Sequence, residues 1–355
     1  MSFSFLLFVA FPALGRPIQV DYDFVVFKDM RGTTHAILAS SPASKVMNMK
    51  VGEWINGGAR EVLQKIVDSF PKGCRILIKR GMYDLGEEAL EVPTPSHFVI
   101  EGEGFDPFPE VLQQFYKDSW SFGGTCLVYR GKGSAISVVC RGEEKIKLKT
   151  SFELINIAIR LKENAESAVR LENVDYAIFE GVGIGTDKRS QKGISIKGKG
   201  KGTKFLQCLL IKGPFEIGLD LDTKHVTVLK AEIEGYRKYG IMLGEDCKVI
   251  SAVVKTDSKE ARAGVRTYPF CKGGVKEETS RSQSESSQCV YWSTVINVFD
   301  ESHAVSRNYV PFVADRSRLV LVGCGKSPFL ETRLYCERGG GKIDDRAQAL
   351  KEPRR

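Results

Sequence analysis

Histidine is scarce in this chain, with four in 355 residues. His35, His97, His225 and His303 lie far apart, and none has a carboxylate at motif spacing. Each therefore reads as a surface or turn residue rather than a catalytic base. The nine cysteines include no Cys-x-x-Cys pair, which excludes a zinc ribbon or a thioredoxin-like site by spacing. Nine is odd, so at least one cysteine has no partner within the chain. Cys208 and Cys324 sit in apolar runs and read as small buried hydrophobes, whereas a disulfide between Cys271 and Cys289 would close the polar stretch between them. No apolar run reaches the roughly 20 residues that span a bilayer. The longest candidate, Phe3 to Leu14, is either a secretory signal or a first strand, and the sequence leaves both open. Asn and Gln are also few beside Lys, Arg and Glu, a bias of heat-adapted proteins.

What is present is an ordinary globular composition, 42% hydrophobic and 27% charged, which argues against long disordered stretches. The net charge of +8 suits acidic polymers such as uronate-rich polysaccharide, nucleic acid or anionic surfaces, or else is dispersed charge that aids solubility.

Residues 18–47 carry two β-rich runs around turn chemistry at Asp29–Gly32 and predict a hairpin. From Glu53 to Phe70, Trp54, Ile55, Ala59, Val62, Leu63, Ile66, Val67 and Phe70 recur at three- and four-residue spacing, which predicts an amphipathic helix ended by Pro71-Lys72-Gly73. Farther on, four segments start alike: Ala168-Val169-Arg170-Leu171-Glu172, Gly193-Ile194-Ser195-Ile196-Lys197, Gly218-Leu219-Asp220-Leu221-Asp222 and Gly240-Ile241-Met242-Leu243-Gly244. A fifth, Gly264-Val265-Arg266-Thr267-Tyr268, follows in step. The starts are 25, 25, 22 and 24 residues apart, and the second and fourth positions are apolar except at Thr267. Such a unit cannot bury its apolar side alone, but stacked coaxially the units form one core with parallel strands about 4.8 Å apart. No helical pattern lies between the strands, which excludes a doubly wound α/β sheet. The leucine-rich repeat signature is also missing. The fold class expected is all-β: a right-handed parallel β-helix with an N-terminal capping helix and a preceding hairpin.

The helix, Gly73-Cys74-Arg75-Ile76-Leu77-Ile78, Gly81-Met82-Tyr83 and Val99-Ile100-Glu101-Gly102-Glu103-Gly104 together resemble the N-terminal module of the pectate-lyase superfamily. The run Asp21-Tyr22-Asp23-Phe24-Val25-Val26-Phe27-Lys28 is similar to a hairpin that precedes that module in archaeal and viral surface β-helix proteins. The resemblance spans roughly residues 20–335 and implies scaffold more than function. The catalytic motifs of polygalacturonase-like hydrolases and pectate lyases are missing: no Asn-Thr-Asp, Gly-His-Gly, Arg-Ile-Lys or Arg-x-Pro-x-x-Arg occurs.

The organisation expected is an apolar segment at 1–17, the hairpin at 18–47, helix and coils at 48–336, and a charged, disordered tail at 337–355. An aromatic insertion at 105–124 is either a sugar-stacking platform or packing against the body. A polar loop at 272–288 interrupts the coils and is the expected first site of proteolysis.

In a β-helix, functional residues fall one repeat apart. The alignment places Glu172, Lys197, Asp222, Gly244 and Tyr268 in one outward column, with Arg170, Ser195, Asp220, Met242 and Arg266 in its neighbour. Asp220 and Asp222, about 7 Å apart at strand rise, can serve as acid and base, or hold Ca²⁺ with Arg266 acting on an acidic sugar. The competing reading is an exposed ion-pair ladder Glu172–Lys197–Asp222 that only supports stacking. Lys188, Arg189, Lys192, Lys197, Lys199, Lys201 and Lys204 among glycines make a basic protrusion for an anionic polymer, or a solvated turn. No aromatic residue is interleaved there, so specific nucleic-acid binding is not expected.

The reading is a β-helix presenting an elongated surface to carbohydrate, at a cell or virion surface and without a required cofactor. The alternative is a polysaccharide lyase or glycoside hydrolase at Asp220, Asp222 and Arg266. The expected binding residues are Glu172, Lys197, Tyr268, Arg170, Lys199 and Lys201, and homo-oligomerisation stays open.

Overall fold

The computed structural model describes residues 22–40, 50–107, 122–141, 149–256 and 258–268, with isolated positions and strand segments between 288 and 345. The expected Cys271–Cys289 disulfide, the loop at 272–288, the N-terminal run and most of the aromatic insertion lie outside the described residues.

Among the described residues, nine strands stack in parallel into one sheet: Leu90–Val92, Ser134–Val139, Ser167–Glu172, Ser190–Lys197, Phe215–Asp222, Tyr239–Leu243, Ala263–Thr267, Val310–Asp315 and Tyr335–Arg338. Val169, Ile194, Leu219, Ile241 and Val265 are register partners in turn, and all are buried in one core. This is the parallel β-helix that the repeat predicts. Thr267, the apolar exception, is buried with the rest.

The remaining face of each coil is a bent strand of the second sheet. Ser151–Leu161, Tyr176–Thr186, Lys204–Lys212 and Val226–Glu234 stack in parallel, and Lys248–Ile250 with Val253–Thr256 continues them. Each bends at a left-handed residue, and these residues stack: Asn156, Gly181, Cys208, Lys230 and Ser251, with φ between 51° and 59°. Left-handed backbone costs about 1 kcal/mol or more in a non-glycine residue, so stacking must hold these bends. Cys208 sits at one of them and is exposed, contrary to its reading as a buried hydrophobe. Cys324 is buried.

The first residue of each repeat has little room for a side chain. Ala135 and Ala168 are fully buried there, and then glycine takes over. A Cβ on Gly218 would lie 2.5 Å from Ile233 Cγ2, and one on Gly240 would lie 2.3 Å from Val254 Cγ1 and 2.6 Å from Gly264 O. The repeated glycine is a demand for space.

At the N-terminal end, Phe24–Lys28 pairs antiparallel with Thr34–Leu38 as the expected hairpin. Phe24–Lys28 also joins the coils by pairing in parallel with Arg75–Ile78. The helix is shorter than its pattern, Ala59–Ser69, because Trp54–Gly57 is a third strand paired to Thr34–Leu38. Glu61 turns back to accept a hydrogen bond from Gly58 N at 3.1 Å, which fixes the helix start. Val62, Leu63, Ile66 and Val67 are buried in the common core, and Phe70 meets Phe24 edge to face. Trp54 was expected in this buried face but is 56% exposed, with Phe27 and His35 against its ring.

Strands Tyr335–Arg338 and Lys342–Asp345 extend the two sheets past residue 336, into the segment expected to be a disordered charged tail. No helix among the described residues is long and apolar enough to cross a membrane.

Candidate functional site

Asp220 sits on the outward side of the nine-stranded sheet, yet it is 0% exposed because its neighbours close over it. Lys192 places its ammonium 2.7 Å from Oδ2, and Lys197 reaches the same oxygen at 3.6 Å. Ser195, one coil below, donates to Oδ2 at 3.2 Å, while the Tyr268 hydroxyl donates to Oδ1 from two coils above. Met242, between them in the same column, is also buried. A buried carboxylate is tolerable when its charge is matched and both oxygens are bonded, and both conditions hold here.

The protonation states follow. Burial, then the Asp220 charge and the hydrogen bond to it, keep the Tyr268 hydroxyl protonated far above the ordinary tyrosine range. Burial works against the Lys197 ammonium, but its hydrogen bonding and the charges of Asp220 and Asp222 outweigh it and raise its pKa. Asp222 is exposed, yet partial burial and then the Asp220 charge raise its pKa. The cluster therefore presents two ammonium groups, a phenol and a protonation-prone carboxyl on a rigid sheet.

The columns are real, but the expected ion-pair ladder does not run along them. Glu172, Lys197 and Asp222 are register partners in succession, yet Lys197 turns to Asp220. Glu172 pairs with Arg170 on its own strand at 2.7 Å. Arg266 stacks its guanidinium 5.5 Å from the Tyr239 ring centre and donates to the Tyr239 hydroxyl at 2.8 Å. The proposed acid–base pair thus consists of one buried, saturated carboxylate and one exposed carboxylate. A calcium ion fits poorly, because two ammonium groups and two hydroxyls already occupy the Asp220 oxygens. Among the described residues no cluster of three His, Cys, Asp or Glu side chains is placed to hold a metal.

The basic protrusion comes apart. Lys204 is fully buried, its ammonium donating to the carbonyls of Gly200 and Gly202 at 2.7 and 3.0 Å, and burial lowers its pKa. Lys199 and Lys201 lie on the loop that Lys204 closes, and their backbone amides bond to Asn173 and Asp175. Arg189 stands at another corner and pairs with Glu216 and Glu260. Of the described histidines, His225 lies in a turn with φ of 58° and His97 is exposed near Glu153 at 3.8 Å, as expected; His35 departs from the expectation, being a strand residue whose Nε2 lies 3.1 Å from Asp29 Oδ2. Phe105 packs over Gly183, where a Cβ would meet its ring, so the described edge of the aromatic insertion packs on the body.

Lys192 and Tyr239 lie outside the two outward columns that the repeat marks. Both lie two positions before the repeat's apolar second residue, in register with Ser167, Ile217 and Ala263. The signal for them in the sequence is this fixed offset upstream of each repeat.

No protein family model matches the chain, and no curated protein matches it. Among solved structures it is similar to the A-module of the Azotobacter vinelandii mannuronan C-5 epimerase AlgE4, at 10% identity over 81% of this chain and 91% of that one, with a TM-score of 0.36. The A-module of AlgE6 from the same organism is similar at 10% identity over 81% and 92%, with a TM-score of 0.27.

Proposed function

We propose that this chain is a glycan-binding β-helix that presents the outward face of its nine-stranded sheet to polysaccharide at a cell or virion surface. The observation that carries this reading is the Asp220 cluster. A buried carboxylate fixes Lys192, Lys197 and Tyr268 at the surface of a rigid sheet, so their donors are ordered before a ligand arrives. Pre-ordering removes much of the entropy lost on binding; the lysine ammonium groups suit sugar hydroxyl and carboxylate oxygens, and the phenol oxygen, its hydrogen given to Asp220, can accept from a sugar hydroxyl. A glycan array followed by calorimetry tests it. Binding should be found, and Lys197→Ala and Tyr268→Phe should weaken it. An array without binders, or variants that bind as the parent does, would count against the reading.

A second reading, a polysaccharide lyase or glycoside hydrolase, is favoured by one feature: a neutral phenol and an exposed carboxyl of raised pKa, Tyr268 and Asp222, share the column beside Asp220. Here Asp220 holds Tyr268 in place and does not itself touch substrate. Release of reducing ends or unsaturated uronates from an acidic polysaccharide, lost in Tyr268→Phe, would establish it.

A further inference from the structure

Toward its C-terminal coils the same sheet face runs into a groove of about 470 Å³, whose wall includes Lys238, Tyr239, Lys259, Arg262, Arg266 and Arg338. Its one carboxylate, Glu260, is already paired with Arg189 and Arg237, which lie outside the lining. Five cations less one carboxylate give the ten lining residues +4, half of the +8 carried by the whole chain. The groove lining therefore carries a local excess of positive charge.

Lys238 is matched by Glu216 at 2.6 Å. Lys259, Arg262 and Arg338, by contrast, make no ion pair among the described residues. The cations also climb the solenoid. Arg262 N bonds to Lys238 O, placing those two on adjacent coils, and Arg338 lies on the strand stacked two coils beyond. Coils repeat at about 4.8 Å, so the groove offers charge at intervals along its length. A single small anion would satisfy one coil, whereas a chain carrying an acidic group on successive units satisfies several.

We infer that this groove is a subsite for the anionic groups of an acidic polysaccharide, an assignment that rests on the glycan-binding reading of the adjoining sheet face. Carboxylate and sulfate share the chemistry that guanidinium groups recognise, oxygens set to accept paired N–H bonds. Single-stranded nucleic acid is the other polyanion of suitable form. It needs open aromatic faces for its bases, and Arg266 already occupies the Tyr239 ring face.

The test measures binding of the full chain to polygalacturonate, dextran sulfate, neutral dextran and poly-dT. Ionic strength is raised from about 50 to about 500 mM, over which screening shortens several-fold. The two acidic glycans should bind more tightly than dextran and lose that advantage as salt rises, and their order shows which acid group the groove prefers. Lys259→Ala/Arg262→Ala, both exposed positions, should weaken acidic-glycan binding about tenfold, the loss of two surface-strength ion pairs. Lys65→Ala/Lys248→Ala, which removes two exposed charges elsewhere, should leave it unchanged. Equal weakening in both double variants would reduce the effect to net charge and overturn the subsite, as would poly-dT binding more tightly than either glycan. Binding of dextran and acidic glycans alike, without salt dependence, would end this inference and leave the glycan-binding reading standing. Failure of every glycan to bind would end both.

Discussion

The Asp220 carboxyl has no contact with water, and two lysine amines and two hydroxyls meet its two oxygens in water's place. Replacing it by Asn leaves Lys192 facing an amide in a site built for a carboxylate. Breaking a buried ion pair on one side costs about 3 kcal/mol or more, and Asp220→Asn should lower stability by that order in chemical denaturation. Asp222→Asn, at an exposed position without an ion pair to a described residue, should stay within about 0.5 kcal/mol. Were Asp220 as solvated as Asp222, the two substitutions would be equivalent, so their difference tests the buried cluster. Adding calcium should leave the melting temperature of the parent unchanged, since a divalent ion would have to displace Lys192 and Lys197 from Asp220.

At the scale of elements, the repeat was legible because its apolar positions recur in step, and Val169 to Val265 align as the spacing dictates. The bends in the second sheet were not legible. Asn156, Gly181, Cys208, Lys230 and Ser251 share a backbone conformation but no side-chain chemistry, so nothing in the sequence marks them as one column. Trp54 was misplaced for a related reason: a helical period and a short strand overlap at Trp54 and Ile55, and pairing with Thr34–Leu38 settled the outcome. The side-chain partners of Asp220 depend on which way long lysines turn, and no periodicity carries that information. The glycine that opens each repeat was visible as a pattern, and its cause is steric. Gly240→Ala puts a methyl group against Val254 and a backbone carbonyl, and overpacking of this kind costs about 1–3 kcal/mol. Gly133→Ala, whose Cβ would come no closer than 3.4 Å to the Tyr129 hydroxyl, is the control and should be nearly neutral in thermal melts.

A second row of charges braces the coils from outside. Glu234 bonds Lys212 at 2.9 Å and Lys255 at 3.0 Å, and Lys255 also bonds Glu232, which ties three successive strands together. Burial raises the pKa of Glu234, but the hydrogen bonds from the two lysines outweigh it and hold it below its ordinary 4.5. The sign follows from linkage: an acid with a depressed folded-state pKa adds stability that is full above the unfolded value and is lost as pH falls toward the folded one. Stability of the parent should therefore drop as pH falls below about 4.5, and Glu234→Gln should flatten that drop while lowering stability near neutrality. Denaturation midpoints across the acid range would show it, and an unchanged acid slope in the variant would remove Glu234 from this role.

The whole molecule behaves as a stack whose stability is a sum over coils and the interfaces between them. Deleting residues 193–217 removes one repeat, because Ile194 and Leu219 are register partners 25 residues apart. Lys192 would then run directly into Gly218, placing Leu219 over Val169 and Lys230 over Gly181, so both the inner column and the left-handed bend stay in phase. The new contacts are not all favourable. Asp220 would gain Arg170 in its column in place of Ser195, while Asp222 would face Glu172, a like-charge pair worth a fraction of a kcal/mol at the surface. The shortened chain should fold cooperatively with strand-type circular dichroism and a lower melting temperature, having lost one interface and the Lys197 contact. Deleting 193–204 removes only part of a coil, throws the inner column out of register and leaves apolar residues facing solvent, so that chain should aggregate or remain unfolded. If both deletions folded equally well, stacking in register would not be what holds this protein together.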